Sequence, residues 1–334
     1  MSDNSITTML MHLKRTLFDS HPMAQRVNLL GKKMIVTGAG MGSIGYETAM
    51  TLAEWGATVI VTTRSKTDQI RNKMLQELTQ KGVIANLDAH PLDLTDAESV
   101  RIFVEWYRQA HGDRLDVLIN NAGVHADLMN QWTEPNLTRD GFEVHWRTNY
   151  LGPMQLTLLL LPLIQKTGRQ SGDARVVFVS SHLHTRARNA DLFGPTRPYN
   201  SWNAYGASKL ALVHAAFEIQ RRFVKDNIRG IVLHPGSIST NIAHKGLESN
   251  KLVQKLRDIF VKLESWVLLT PVEGAQTTIM CATAPTAKGG TYYDRLEIGS
   301  VNPEAFDSEV SSRLWQKTEK WVEALSAQRV EETA

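Results

Sequence analysis

The chain is 334 residues long, 42% apolar, with a formal net charge of +3. This is enough apolar material for one large buried core, and the small charge without a dense Lys/Arg block excludes nucleic acid as a main partner. A single cysteine, Cys281, excludes an internal disulfide framework, fits a reducing compartment and reads as a small buried apolar residue.

In chain order, Ile6, Leu10, Leu13 and Leu17 recur at helical spacing beside Lys14 and Arg15, predicting an N-terminal helical extension over residues 1–30. Such a helix can pack on the protein's own body, on a neighbouring subunit, or peripherally on a membrane. No signal-peptide apolar region precedes it, and a soluble, cytoplasmic protein is expected. The short β-type run Lys33-Met34-Ile35-Val36 then leads into Thr37-Gly38-Ala39-Gly40-Met41-Gly42-Ser43-Ile44-Gly45, a helical stretch to Ala53, and a second strand over Ala57–Thr63. A strand, a glycine-rich turn and a helix form a phosphate site, because exposed backbone N–H groups face the anion and glycines let it approach. The second strand closes a βαβ unit, so the loop points to a dinucleotide. That strand ends in Arg64 with no acidic residue to accept both ribose hydroxyls, and a planar guanidinium suits a 2′-phosphate, so NADP(H) is expected over NAD(H).

Further on, Leu92-Asp93-Leu94-Thr95-Asp96 follows a strand, with Thr95 or Asp96 as the better helix cap. The apolar run Leu115–Ile119 reads as a strand before Asn120-Asn121-Ala122-Gly123, and Val177-Phe178-Val179 as one ending in Ser180-Ser181. Leu156 to Ile164 is too short to cross a bilayer, which takes about 18–20 apolar residues, and is expected to be a buried core helix. His182 and His184 lack companion ligands and read as pocket or loop residues, not as a metal pair. Tyr205 and Lys209 are four residues apart, which on a helix stacks a phenol over an ammonium. A nearby positive charge favours the phenolate, making the pair an acid–base device. The alternation of short apolar strands and helical stretches, with no linker, repeat or low-complexity tract, predicts an α/β fold: a single doubly wound Rossmann-type domain, its central parallel sheet flanked by helices.

These motifs, in this order, resemble the short-chain dehydrogenase/reductase family from about Gly31 to about Val322. The likeness is carried by the glycine loop, Asn120-Asn121-Ala122-Gly123, Asn149 in Thr148-Asn149-Tyr150, the Ser180-Ser181 pair, Tyr205 with Lys209, and His234-Pro235-Gly236-Ser237-Ile238-Ser239-Thr240. Leu137–Glu143, Thr270–Thr277 and Arg313-Leu314-Trp315 resemble its retinol-dehydrogenase-like branch, whose members act on retinoids, steroids, aldehydes and other lipophilic carbonyls.

The resemblance implies a domain over 31–325, a substrate-covering segment around 241–270 and a tail at 326–334. It also implies a carbonyl or alcohol as small-molecule substrate, and a homo-oligomer is expected. Asn149, Ser181, Tyr205 and Lys209 become the catalytic set, with Ser181, His182 and Tyr205 toward the substrate. Gly38, Gly40, Gly42, Ser43, Ile44, Gly45, Arg64, Asp93, Asn121, Ala122, Gly123, Pro235, Gly236, Ile238 and Thr240, with Tyr205 and Lys209, fall to the cofactor. Asn120 is given a structural role, bracing neighbouring strands.

The sequence departs from the family pattern in two places. Ser43 stands where the loop's middle glycine belongs, after one extra residue that Gly40 and Gly42 are expected to absorb, and the stretch from Ser181 to Tyr205 is long, suggesting an elaborated loop at the substrate mouth. The segment 241–270, carrying Ile242, Leu247, Leu252, Leu256, Phe260 and Trp266 among its apolar residues, is expected to form an apolar lid. A dinucleotide-binding regulatory or scaffold protein without turnover would not need all four catalytic residues, and a sugar-nucleotide epimerase would need more chain after Thr240 for its substrate domain.

Overall fold

The computed structural model describes residues 22–126, 131–194, 196–236 and 269–333, with side chains up to residue 325. The predicted helix around residues 6–17 and most of the predicted cover at 241–270, with Ile238 and Thr240, lie outside the described residues.

The apolar runs become strands of one sheet: β1 (Lys33–Thr37), β2 (Thr58–Thr63), β3 (Asn86–Pro91), β4 (Val117–Asn120), β5 (Ala174–Val179), β6 (Ile228–His234), β7 (Thr291–Asp294) and β8 (Glu297–Ile298). Their spatial order is β3-β2-β1-β4-β5-β6-β7-β8, parallel except for the antiparallel edge pair β7 and β8. The chain winds outward from β1 in one direction and, after crossing back, outward from β4 in the other. This doubly wound topology opens a crevice where β1 and β4 part, at the strands' carboxyl ends. The expected strand from Leu115 begins two residues later, because Asp116 serves as an anchor instead: its buried carboxylate takes Lys33 N at 2.9 Å and the Lys32 and Arg114 side chains at 3.0 and 2.8 Å.

Helices cover both faces: α1 (Ile44–Glu54), α2 (Thr67–Gln80), α3 (Ala97–His111), α4 (Gly152–Ser171), α5 (Ser201–Phe223), α6 (Pro271–Thr283) and α7 (Ser308–Thr333). Strands buried on both sides read as continuous apolar runs rather than alternating ones, as Val176, Val177 and Phe178 do. One core layer sets Ile35, Leu118, Phe178 and Val232 against Phe103, Leu160, Leu210 and Trp315. The opposite layer sets Val36, Val59 and Ile231 against Ala49, Leu52, Met74 and Cys281. Each fully buried Leu, Ile or Phe contributes roughly 1.5–3 kcal/mol, so these two layers hold together the scaffold beneath the crevice.

The apolar stretch Leu156–Ile164 lies inside α4 as expected, and among the described residues no helix is long and apolar enough to cross a membrane. Cys281 is fully buried, and burial pushes its thiol well above the usual range. Residues 22–30 are irregular and strap onto the body through Ala24 N to Gln276 Oε1 and Leu29 N to Trp55 O, both at 3.0 Å.

Candidate active site

The carboxyl ends of β1, β4, β5 and β6 bring most of the predicted site residues together. Thr37, the last residue of β1, accepts the backbone N–H groups of Asn121 and Ala122 on its hydroxyl, each at 3.0 Å. Asn121 returns the contact, its Nδ2 donating to Thr37 O at 2.8 Å. A side chain has no room between the two turns: a Cβ on Gly38 would stand 2.8 Å from Ala122 Cα, and one on Gly45 would stand 2.5 Å from Asn121 Nδ2. Ser43 caps α1, accepting Tyr46 N at 3.1 Å, so at the altered loop position a serine replaces glycine to serve the helix. Gly42 takes up the extra residue with a left-handed φ of 69°, a conformation Gly40 does not need. The N-terminus of α1 therefore opens onto the crevice with Met41 and Gly42 exposed.

At the end of β2, Arg64 is exposed, and among the described residues no acceptor lies within hydrogen-bond distance of its guanidinium. Asp93 lies beyond β3 with its Oδ1 already holding Thr95 N and Thr95 Oγ1 at 2.8 and 2.7 Å. The cap of α3 is Asp96. Asn120 ends β4 and donates to Thr157 Oγ1 at 3.0 Å, so it braces helix α4 against the sheet rather than strand against strand.

Asn149, Ser181, Tyr205 and Lys209 converge from three elements. Asn149 sits in a π-helical turn, Arg147–Leu151, that precedes α4. Its fully buried amide pairs with both backbone groups of Val124, accepting the N–H at 2.8 Å and donating to the carbonyl at 3.0 Å. It also donates to Ser208 Oγ at 3.1 Å, tying the segment after β4 to α5. Ser181 follows β5 and caps the 3-10 turn His182–Arg186. Tyr205 and Lys209 lie on α5, which is capped by the Asn200 side chain, with Nζ 5.6 Å from the phenol ring centroid. Lys209 is buried and donates to Val179 O at 3.0 Å. Among the described residues that carbonyl is its one acceptor, while an ammonium carries three donors.

Burial shifts both groups of the pair. The Lys209 ammonium is pushed down to about 8. The Tyr205 phenol is pushed up to about 12, with hydrogen bonding from the Ser181 side chain pulling the other way. Beside them Gly123 keeps a gap that a Cβ would fill, 3.1 Å from Lys209 Nζ and 3.3 Å from Asn149 Oδ1. The two unspent donors of Lys209 and this gap fit the ribose of a dinucleotide, whose phosphates would lie over Gly42 and the α1 N-terminus.

Two histidines that sequence reasoning did not single out, His125 and His145, complete the surroundings of the phenol. His125 stacks on Tyr205 with centroids 4.1 Å apart and planes 16° from parallel, and Trp202 meets its edge at 5.1 Å. His145, fully buried, approaches the phenol edge-on at 5.9 Å and accepts Ala126 N on Nε2 at 3.1 Å. Its Nδ1–H therefore faces Glu143 Oε1 at 2.8 Å. Burial pushes the Glu143 carboxyl up, but hydrogen bonds from His145 and the backbone outweigh this and hold it below its usual range. Only the position of His125, two residues past the Asn-Asn-Ala-Gly run, was a signal available in the sequence. His184 is buried away from solvent, whereas His182, predicted toward the substrate, is exposed and lies 6.3 Å from the His234 ring. Pro235 and Gly236 follow β6 at the crevice, Gly236 with a φ of 90°. The long connection before Tyr205 folds into two 3-10 turns, the second of them Asn189–Leu192.

The sequence profile of the short chain dehydrogenase family matches residues 32–251. Human retinol dehydrogenase 14 is 35% identical over 307 residues, covering 87% of this chain and 86% of that protein. Human polyprenol dehydrogenase is 35% identical over 293 residues, covering 85% and 83%. Among solved structures, the Pseudomonas aeruginosa RhlG/NADP active-site complex superposes with a TM-score of 0.59 at 22% identity, over 85% of this chain and all of that one. An Escherichia coli hydroxysteroid dehydrogenase gives 0.56 at 23% identity, and at this distance both likenesses speak for the fold alone.

Proposed function

The chain belongs to the short-chain dehydrogenase family, and on that footing we propose that it is an NADP(H)-dependent oxidoreductase. In this reading it interconverts a carbonyl and an alcohol by hydride transfer on a bulky lipophilic substrate, through a Rossmann-type domain over residues 31–325. One observation carries the reading. A buried ammonium with unspent donors lies beneath a phenol that a serine side chain also engages, at the mouth of a crevice lined by backbone turns.

A bound nicotinamide cofactor would supply the hydride and, once oxidised, a positive charge beside the phenol. The chain's own residues handle the oxygen and its proton. In reduction, Tyr205 Oη–H gives its proton to the carbonyl oxygen as negative charge develops there. Ser181 Oγ–H donates a hydrogen bond to the same oxygen, so two preorganised donors meet the growing alkoxide. In oxidation the phenolate takes the alcohol proton. Lys209 makes that phenolate accessible, and its other donors hold the cofactor ribose. The Asn149 amide N–H groups are both given, to Val124 and Ser208, and its Oδ1 holds Val124 N, so Asn149 fixes the wall of the crevice.

NADP(H) is favoured by Arg64, an unpaired guanidinium among the described residues at the strand end where the adenosine ribose would lie. Bulky lipophilic substrates are favoured by the apolar composition of 241–270 and by the names of relatives that act on retinol and polyprenol. His182, Ile238 and Thr240 keep their expected roles within the proposal, as do a cytoplasmic location, a homo-oligomer and a peripheral contact through residues 1–30.

The test is a screen of the purified protein with NADPH and NADH against ketones, aldehydes, retinoids, steroids and quinones. The expected result is NADPH oxidation with bulky apolar carbonyls. Cofactor binding without turnover on any carbonyl, or activity confined to short charged substrates, would refute it.

A further inference from the structure

His184 is fully buried three residues past Ser181, and every polar atom of its ring has a partner. Nδ1 lies 2.7 Å from the Ser181 carbonyl oxygen, and Nε2 receives the backbone N–H of Asn302 at 3.1 Å. A carbonyl can only accept and a backbone N–H can only donate, so the ring is neutral with its proton on Nδ1. No alternative protonation state satisfies both contacts.

The clamp is doubled around the ring. Asn302 Nδ2 donates to the carbonyls of His184 and Ala187 at 3.2 and 2.8 Å, holding both ends of the 3-10 turn's second half. His184 N also donates to Ser181 O at 3.1 Å, and the Tyr292 ring packs against the imidazole at 4.8 Å. Across the turn, α5 presses close: a Cβ on Gly206, the neighbour of Tyr205, would stand 2.8 Å from Leu183 O. The turn carrying Ser181 is thus seated between the catalytic helix and a segment near residue 302, which lies beyond the part of the chain that the family profile matches.

We propose that His184 is a positioning residue: with its tautomer set by Asn302 N–H, its Nδ1–H holds the Ser181 carbonyl, fixes the Ser181 main chain and so aims the Ser181 hydroxyl at the oxygen it shares with Tyr205. This rests on the reading of the site proposed above. His184 touches neither substrate nor cofactor in this account. It acts through the serine, and a small misplacement of such a donor is enough to cost rate.

Two isosteric variants separate the proposal from a general packing role. His184→Asn sets an amide N–H where Nδ1–H was and gives up the Asn302 contact. His184→Gln sets an amide oxygen where Nε2 was, keeping Asn302 and losing the Ser181 carbonyl. With a carbonyl substrate found in the screen, kcat of the Gln variant should fall about 10- to 100-fold at unchanged KM for NADPH. The Asn variant should stay within about threefold of wild type, even where its melting temperature falls as far.

Equal losses in the two variants, or losses that follow melting temperature alone, would overturn the inference. Crystal structures of both variants form a second arm that needs no turnover. A Ser181 hydroxyl displaced in the Gln variant and in place in the Asn variant is expected. An unmoved hydroxyl in the Gln variant overturns the inference. A wild-type protein without activity on any carbonyl would instead sink the functional reading and leave the crystal arm to decide this one.

Discussion

Replacing Lys209 by Met keeps a long apolar stem in a buried slot and deletes the charge under Tyr205. A unit charge about 5.6 Å from the phenol ring attracts a phenolate by about 3 kcal/mol at an effective dielectric of about 20. That energy equals about two pH units of acidity. Burial pushes Tyr205 up to about 12 against the Ser181 hydrogen bond, and a charged Lys209 beneath the ring favours the phenolate. The phenolate population at pH 7 should therefore drop about 100-fold in the Met variant, and alcohol oxidation with it.

The assay is the pH dependence of kcat for oxidation at saturating NADP⁺, in wild type, Lys209→Met and Lys209→Arg. The alkaline rise of the Met profile should move up by about two pH units, with Arg recovering part of the shift. If Met changes only the KM for cofactor and its profile superposes on wild type, Lys209 holds the ribose and nothing more, and the electrostatic argument fails.

Tyr205→Phe keeps the ring that stacks on His125 and removes the proton donor; turnover should fall about 100-fold or more while NADPH binding, followed by fluorescence, survives. A Phe variant with near-normal turnover would remove Tyr205 from proton transfer. Arg64→Asp should weaken NADPH by about tenfold or more and spare NADH, read from separate titrations, whereas equal losses for both would show that Arg64 does not read the 2′-phosphate. Acid stability draws in part on His214, fully buried between Ser311 Oγ at 2.7 Å and Asn189 Oδ1 at 2.8 Å, alongside His234, which burial also pushes down to about 4. Burial pushes His214 down to about 4 from 6.5, so the unfolded chain binds its proton first. Its contribution is complete above pH 6.5 and is lost as pH falls from there to about 4, on the order of 3 kcal/mol in all. The fall in urea midpoint from about pH 7.5 to about 4.5 should be smaller in His214→Gln than in wild type, and an undiminished fall would clear His214 of any part in it.

Where a continuous motif lies among the described residues, its local backbone was legible from the sequence. Tyr205 and Lys209 face one way because a helix repeats every turn, and the βαβ unit follows from two apolar runs and a glycine loop. Even the misfit at Ser43 resolves locally, into a helix cap. What could not be read depends on distance along the chain. Nothing near His125 tells that its ring will lie flat on Tyr205, and nothing near His184 tells that residue 302 will answer it, because such contacts are fixed by how β4, β5 and the C-terminal segment dock. Asn120 shows the same limit: its structural role was legible, but its partner, a helix hydroxyl, depended on how α4 crosses the sheet.

The π-helical turn at Arg147–Leu151 has a consequence for how the two sides of the site are set. Such a turn holds one residue more than an α-turn, and each α-helical residue rotates the chain by about 100°. It acts as a phase shifter. The core side keeps the angular register that buries Met154, Leu160 and Ile164, while the mouth side carries His145 and Glu143 on a register of its own. Asn149 stands at the joint, so the side chains packed beside Tyr205 take their angle from one register and the helix that the sheet rests on takes its own from another, much as a coupling joins two shafts set at different angles.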